Sequence, residues 1–184
     1  MAGCILATIC VAGLLGFFGV LAGYWVIRAH VTARLEKDLP VYIALMPALP
    51  PEGGVEQVPR PQPGGIAGKV RGKMVVVNVN ERRIDALHFA LPRDLWASKP
   101  EEVATVVLLT WEQRRTSNEP FSLPLYDNRY ITVGQVRVFD WESKSEIASR
   151  TFFGDLPPFS DGQPATGPRP DDQVLNFLTS LRRP

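Results

Sequence analysis

The sequence predicts a β-rich α+β domain held on one N-terminal transmembrane helix. Three observations carry that expectation. The stretch from Cys4 to Ile27 contains no charged residue and is long enough for a bilayer core, which takes about 20 apolar residues. Valine-rich and alternating runs downstream, divided by proline, glycine and polar turns, predict an antiparallel sheet of about five strands. Near the end, Val174, Phe177, Leu178 and Leu181 recur at helical spacing and predict a C-terminal helix covering one face of that sheet.

A chain in hydrocarbon must satisfy its own backbone hydrogen bonds, so the proline-free apolar run reads as one continuous helix. Tyr24 and Trp25 stand shortly before Arg28, the first charge in the chain. Amphipathic rings favour the headgroup layer, and the membrane edge is expected there. Ala12, Gly16, Gly19 and Gly23 share one helix face. Small residues let backbones approach, which makes this a candidate packing surface for a second copy of the chain, giving a homodimer, or for a partner transmembrane helix.

No basic residue precedes the run, whereas Arg28, Arg34 and Lys37 follow it. The positive-inside rule then places the large domain in the cytoplasm. The competing expectation is an exported domain, behind a signal peptide cleaved at Val20-Leu21-Ala22 or a lipoprotein leader ending at Cys10. A missing basic n-region, an over-long apolar run and the bulky Ile9 before Cys10 count against it.

Charge and cysteine usage narrow the chemistry. With 20 basic against 19 acidic side chains, no strong field calls for nucleic acid as a partner. Both cysteines, Cys4 and Cys10, fall in the apolar run, so the rest of the chain has no disulfide, thiol nucleophile or thiolate metal site. No glycine-rich phosphate loop lies between a strand and a helix. No nucleophile elbow accompanies His88, the one histidine beyond the membrane-proximal helix. Asp85, Asp94, Asp140, Glu142 and Asp155 read as solvated surface charge rather than as an acid/base pair. No catalytic, metal or cofactor residue is expected, and the chain is not read as an enzyme.

The chain divides into an anchor and juxtamembrane helix over 1–39, a proline- and glycine-rich linker over 40–68, and a soluble β-rich domain over 69–184. In the juxtamembrane part Val31, Leu35 and Leu39 form an apolar line, free to lie on lipid, on a second copy or on the domain, and Pro40 is expected to end the helix. Lys69 to Asn80 is the first strand. Lys69, Arg71 and Lys73 share its parity and form a candidate contact for anionic lipid.

Ile84 to Leu91 alternates as a returning strand, and Ser98-Lys99-Pro100-Glu101 matches a capping box. Val103 to Trp111 is apolar on both parities, as in a central strand buried on both faces. After a polar connection over Glu112 to Asn128, Arg129 to Val133 and Val136 to Trp141 make the next strand. A change of parity at Gly134 predicts a bulge. Glu142 to Ser145 is a turn and Glu146 to Phe153 the return, so the sheet is expected to consist of two hairpins of similar plan.

The function expected from these observations is a single-pass, membrane-anchored, non-catalytic interaction or accessory module. The alternative is a membrane-tethered binding domain for a small ligand or lipid headgroup, using Lys69, Arg71 and Lys73.

Overall fold

The charge-free run continues without a break into the first charged residues as one helix, α1 (Ala2–Leu35). The computed structural model describes residues 2–46, 70–115, 129–158 and 164–181, with side chains from Gly19 onward. Expectations for the side chains of Ala12 and Gly16, for Lys69, for the linker from Pro50 to Gly68, for most of the 112–128 connection and for Arg182 and Arg183 lie outside the described residues. Among the described residues no helix is long and apolar enough to cross a membrane. Most of the apolar run, residues 4–18, lies outside the described side chains.

Beyond Leu35 a tight turn at Glu36–Asp38 leads directly into α2 (Leu39–Ile43). Pro40 therefore does not stop the helix. It sits in the first turn of α2, where its missing N–H leaves no hydrogen bond unmade. Val31, Leu35, Leu39 and then Tyr42 are buried, in one cluster with Val75, Val77, Ile84, Val106 and Leu108. Of the three fates open to that apolar line, it takes the domain.

The sheet contains β1 (Lys73–Asn78), β2 (Arg83–Ile84), β3 (Val103–Arg115), β4 (Arg129–Asp140) and β5 (Glu146–Phe153), in the order β2-β1-β3-β4-β5. A short β6 (Ala165–Thr166) pairs with the start of β4. The sheet is mixed rather than antiparallel, because β1 runs parallel to β3 while β3, β4 and β5 form an antiparallel meander.

The cause lies in Ile84 to Leu91, which does not continue as a strand. The Asp85 side chain accepts the Leu87 N–H at 3.0 Å, an Asx-type turn that competes with strand pairing. The chain then coils into α3 (Leu87–Ala90) and crosses to enter β3 alongside β1 in the same direction, the connection a parallel pair requires. The two-hairpin plan holds for β4 and β5, while its first half survives only as a short antiparallel pairing of β1 with β2, Val77 opposite Ile84 and Asn78 opposite Arg83, that does not continue to Leu91. The remaining edge of β1 is covered by Leu95 to Ala97. Met74 N–H donates to the Leu95 carbonyl at 2.7 Å and Ala97 N–H to the Met74 carbonyl at 2.9 Å, which protects an edge that would otherwise be open to pairing.

As its two-sided apolar pattern predicts, β3 lies in the middle of the sheet and is covered on both faces. Val107 and Leu109 pack with Val174, Phe177, Leu178 and Leu181 from α4 (Asp171–Ser180) and the residue that follows it. Val106 and Leu108 pack with the end of α1 and α2. The result is three layers, with the sheet between two helical covers. The expected bulge at Gly134 is absent: the ladder passes from Trp111 through Gly134 to Phe152. The register shift falls four residues on, between Val138 and Phe139.

Candidate functional site

Where α1 meets the domain, a groove of about 370 Å³ opens between Tyr24, Ile27 and Arg28 on the helix and Phe89, Leu91, Arg93 and Trp96 on the α3–β3 connection. The Arg28 guanidinium lies 4.8 Å from the centre of the Phe89 ring and 5.6 Å from that of Trp25, so two aromatic faces attract the cation. Among the described residues neither Arg28 nor Arg93 pairs with a carboxylate.

Lys73 also lines the groove but is already engaged, donating to Glu102 at 3.0 Å. Glu102 in turn accepts the Ser98 N–H and hydroxyl, both at 2.9 Å. The Ser98 N–H, with help from Lys73, holds the Glu102 carboxyl down to about 2. The capping box expected from Ser98 and Glu101 does not form: the short turn Pro100–Glu102 is capped at Lys99 without a side-chain bond, and Ser98 donates to Glu102 instead.

His88 is fully buried beside the groove. Its Nε2 lies 3.0 Å from the Ala97 carbonyl, which can only accept, so Nε2 carries the proton. Nδ1 has no partner among the described residues. Phe89 and Trp96 meet the ring edge-on at 4.9 and 5.5 Å. Burial pushes the His88 pKa down to about 4, and the nearby Arg28 charge adds to the shift.

Protonation therefore favours the unfolded chain. Stability is full above the unfolded value near 6.5 and falls as pH drops from there to about 4. The loss is roughly 3 kcal/mol. Denaturant titrations across that window are expected to give this slope in the wild type and a flattened one in His88→Gln, which keeps a donor for Ala97 but does not titrate. An unchanged slope in the variant would remove His88 as the cause. Loss of the Glu102 contribution falls lower, as pH drops from the ordinary carboxylate range through about 2.

A second polar centre lies between the sheet and the start of α4. The Asp85 carboxylate is 2% exposed. It accepts from Asn78 Nδ2 at 3.2 Å, Trp111 Nε1 at 3.3 Å and the Leu87 N–H at 3.0 Å. Arg169 Nη2 reaches both of its oxygens, at 3.0 and 3.2 Å. The Arg169 guanidinium carbon also lies over the Trp111 ring, 4.0 Å from its centre, and Arg169 donates to Asp171.

With both carboxylate oxygens engaged by these donors, Asp85 acts as a clasp joining β1, α3, β3 and α4. The expectation that Asp85 is a solvated surface charge is thus corrected. A signal was present in the sequence: an aspartate directly before a short apolar run is a frequent turn and helix-start residue.

Gly134 makes the clasp sterically feasible, since a Cβ there would come within 2.4 Å of the Trp111 ring. Gly134→Ala is expected to displace Trp111 and cost about 1–3 kcal/mol, read as a lower urea midpoint together with an altered near-ultraviolet tryptophan signal. An unshifted midpoint would contradict this packing.

The sequence-selected residues sit apart from this clasp. Arg71 is exposed and precedes β1. Gly72 follows it with a φ of +63°, a turn in the backbone that interrupts the alternation assumed for Lys69, Arg71 and Lys73. Of these three only Lys73 lines the groove. Gly19 and Gly23 lie on α1 with open space where a Cβ would stand. Arg34, Lys37 and Lys99 line a second, polar hollow beside Glu101. Among the described residues no three His, Cys, Asp or Glu side chains gather as a metal site. Neither a protein-family model, nor a curated protein, nor a solved structure matches this chain.

Proposed function

We propose that the chain is a single-pass membrane-anchored, non-catalytic interaction module, an accessory subunit that holds a partner at the bilayer. The observation that carries this reading is the continuity of α1: the helix that begins in the charge-free run ends inside the domain's core at Leu35. At about 1.5 Å per residue the run from Cys4 to Ile27 measures roughly 36 Å, sufficient for a hydrocarbon core of about 30 Å. Val20, Tyr24, Trp25, Val26 and Ile27 are exposed on α1, an apolar surface of the kind lipid or another helix covers. On this reading the domain faces the cytoplasm close to the headgroups, and open space at Gly19 and Gly23 admits a second helix.

Chemical cross-linking in native membranes, followed by purification and mass spectrometry, tests the reading. A stoichiometric partner is expected in the wild type and its loss in the Gly16→Leu, Gly19→Leu, Gly23→Leu triple variant. Absence of any cross-linked partner would overturn it. A second reading, a membrane-tethered binding domain for a lipid headgroup, is favoured by the groove in which Arg28 and Arg93 meet no carboxylate among the described residues.

A further inference from the structure

We propose that the groove between α1 and the α3–β3 connection seats the headgroup of one anionic phospholipid, with its phosphate on Arg28 and Arg93. This deepens the second reading above and rests on α1 being a membrane span. Two guanidinium groups on different elements line one groove without a carboxylate partner among the described residues. Their planar forks match phosphate oxygens, and each can give two parallel hydrogen bonds. Arg28 is held in place by the Phe89 and Trp25 rings, so less side-chain freedom is lost when the anion arrives.

The rest of the wall selects a lipid over a free anion. Tyr24, Phe89, Leu91 and Trp96 present apolar and aromatic surface, suited to a glycerol backbone and the first acyl carbons but of no use to inorganic phosphate. A groove of about 370 Å³ is of a size for a headgroup, near the lower end for ligand pockets, and two acyl chains must lie elsewhere. The exposed apolar surface of α1 from Val20 to Ile27 leads directly into it. A phospholipid can therefore leave its chains along the helix and turn its phosphate into the groove.

The test uses the full-length protein in nanodiscs of equal parts phosphatidylcholine and phosphatidylglycerol, with retained lipid counted by native mass spectrometry. One phosphatidylglycerol per chain is expected, retained at least tenfold over phosphatidylcholine. The preference is expected to vanish in Arg28→Gln/Arg93→Gln and to survive in Arg83→Gln, an exposed cation outside the groove. Near-ultraviolet circular dichroism of each variant confirms that the domain is folded.

Equal retention of both lipids by the wild type, or a preference that persists in the double variant, would overturn the assignment. Displacement by inorganic phosphate at matching concentration would make this a soluble-anion site instead. Extraction of the chain from native membranes by carbonate would overturn the span and the lipid site together. A carbonate-resistant chain without lipid preference would overturn the groove alone.

Discussion

Arg169→Ala is expected to destabilise the protein by about 3–5 kcal/mol, the usual cost of removing one partner from a buried ion pair. The reason is asymmetric burial: Asp85 has a side chain 1% exposed while that of Arg169 is 33% exposed. Truncating Arg169 leaves a carboxylate in the interior with only neutral donors from Asn78, Leu87 and Trp111. Truncating Asp85 leaves a guanidinium that can turn towards water, but it also takes the acceptor from Asn78, Leu87 and Trp111, so Asp85→Ala is expected to cost at least as much. Urea unfolding followed by tryptophan fluorescence reads both, because Trp111 lies under Arg169. The double variant should cost less than the sum of the singles by about 1–3 kcal/mol. Additive effects would show that the two side chains do not act as one clasp.

Leu35→Ala should be comparably severe, at about 3–5 kcal/mol, since the side chain is fully buried in a site closed by the sheet on one side and its own helix on the other. Nine residues earlier the same helix behaves differently. Val26 is 68% exposed, and Val26→Ala is expected to leave domain stability within about 0.5 kcal/mol. Equal effects at the two positions, measured on the full-length protein in one detergent, would contradict the division of α1 into an outer segment and a core segment.

The parts of the fold legible from sequence were those fixed by local periodicity. The apolar stripe of α4, the two-sided burial of Val106 to Leu109, the β4–β5 hairpin and the line of Val31, Leu35 and Leu39 all follow from spacing that matches one element and no other. What the sequence hid were contacts between distant segments. Ile84 to Leu91 alternates well enough for a strand, yet one side chain, Asp85, turns the chain there and makes β1 parallel to β3. Gly134 changes the apolar parity for the sake of the Trp111 ring across the ladder, not because of a bulge.

The groove was only half legible. Strand parity points to Lys73 and the positive-inside pattern to Arg28, whereas Arg93 stands in a loop with no local pattern to mark it. No local pattern links residues 28, 73 and 93 before α1 is known to dock on the sheet. Asp85 and Arg169 are 84 residues apart, which places their pairing beyond any local reading.

In this architecture α1 serves at once as the proposed span and as a layer of the domain. Hydrogen exchange on the full-length protein in phospholipid nanodiscs tests that most directly, because opening free energies differ between core elements and tethers. Amides of residues 28–39 are expected to exchange as slowly as those of β3, with no weak point between Arg28 and Leu39. Rapid exchange across 28–39 beside a protected β3 would make this segment a flexible tether and contradict the account.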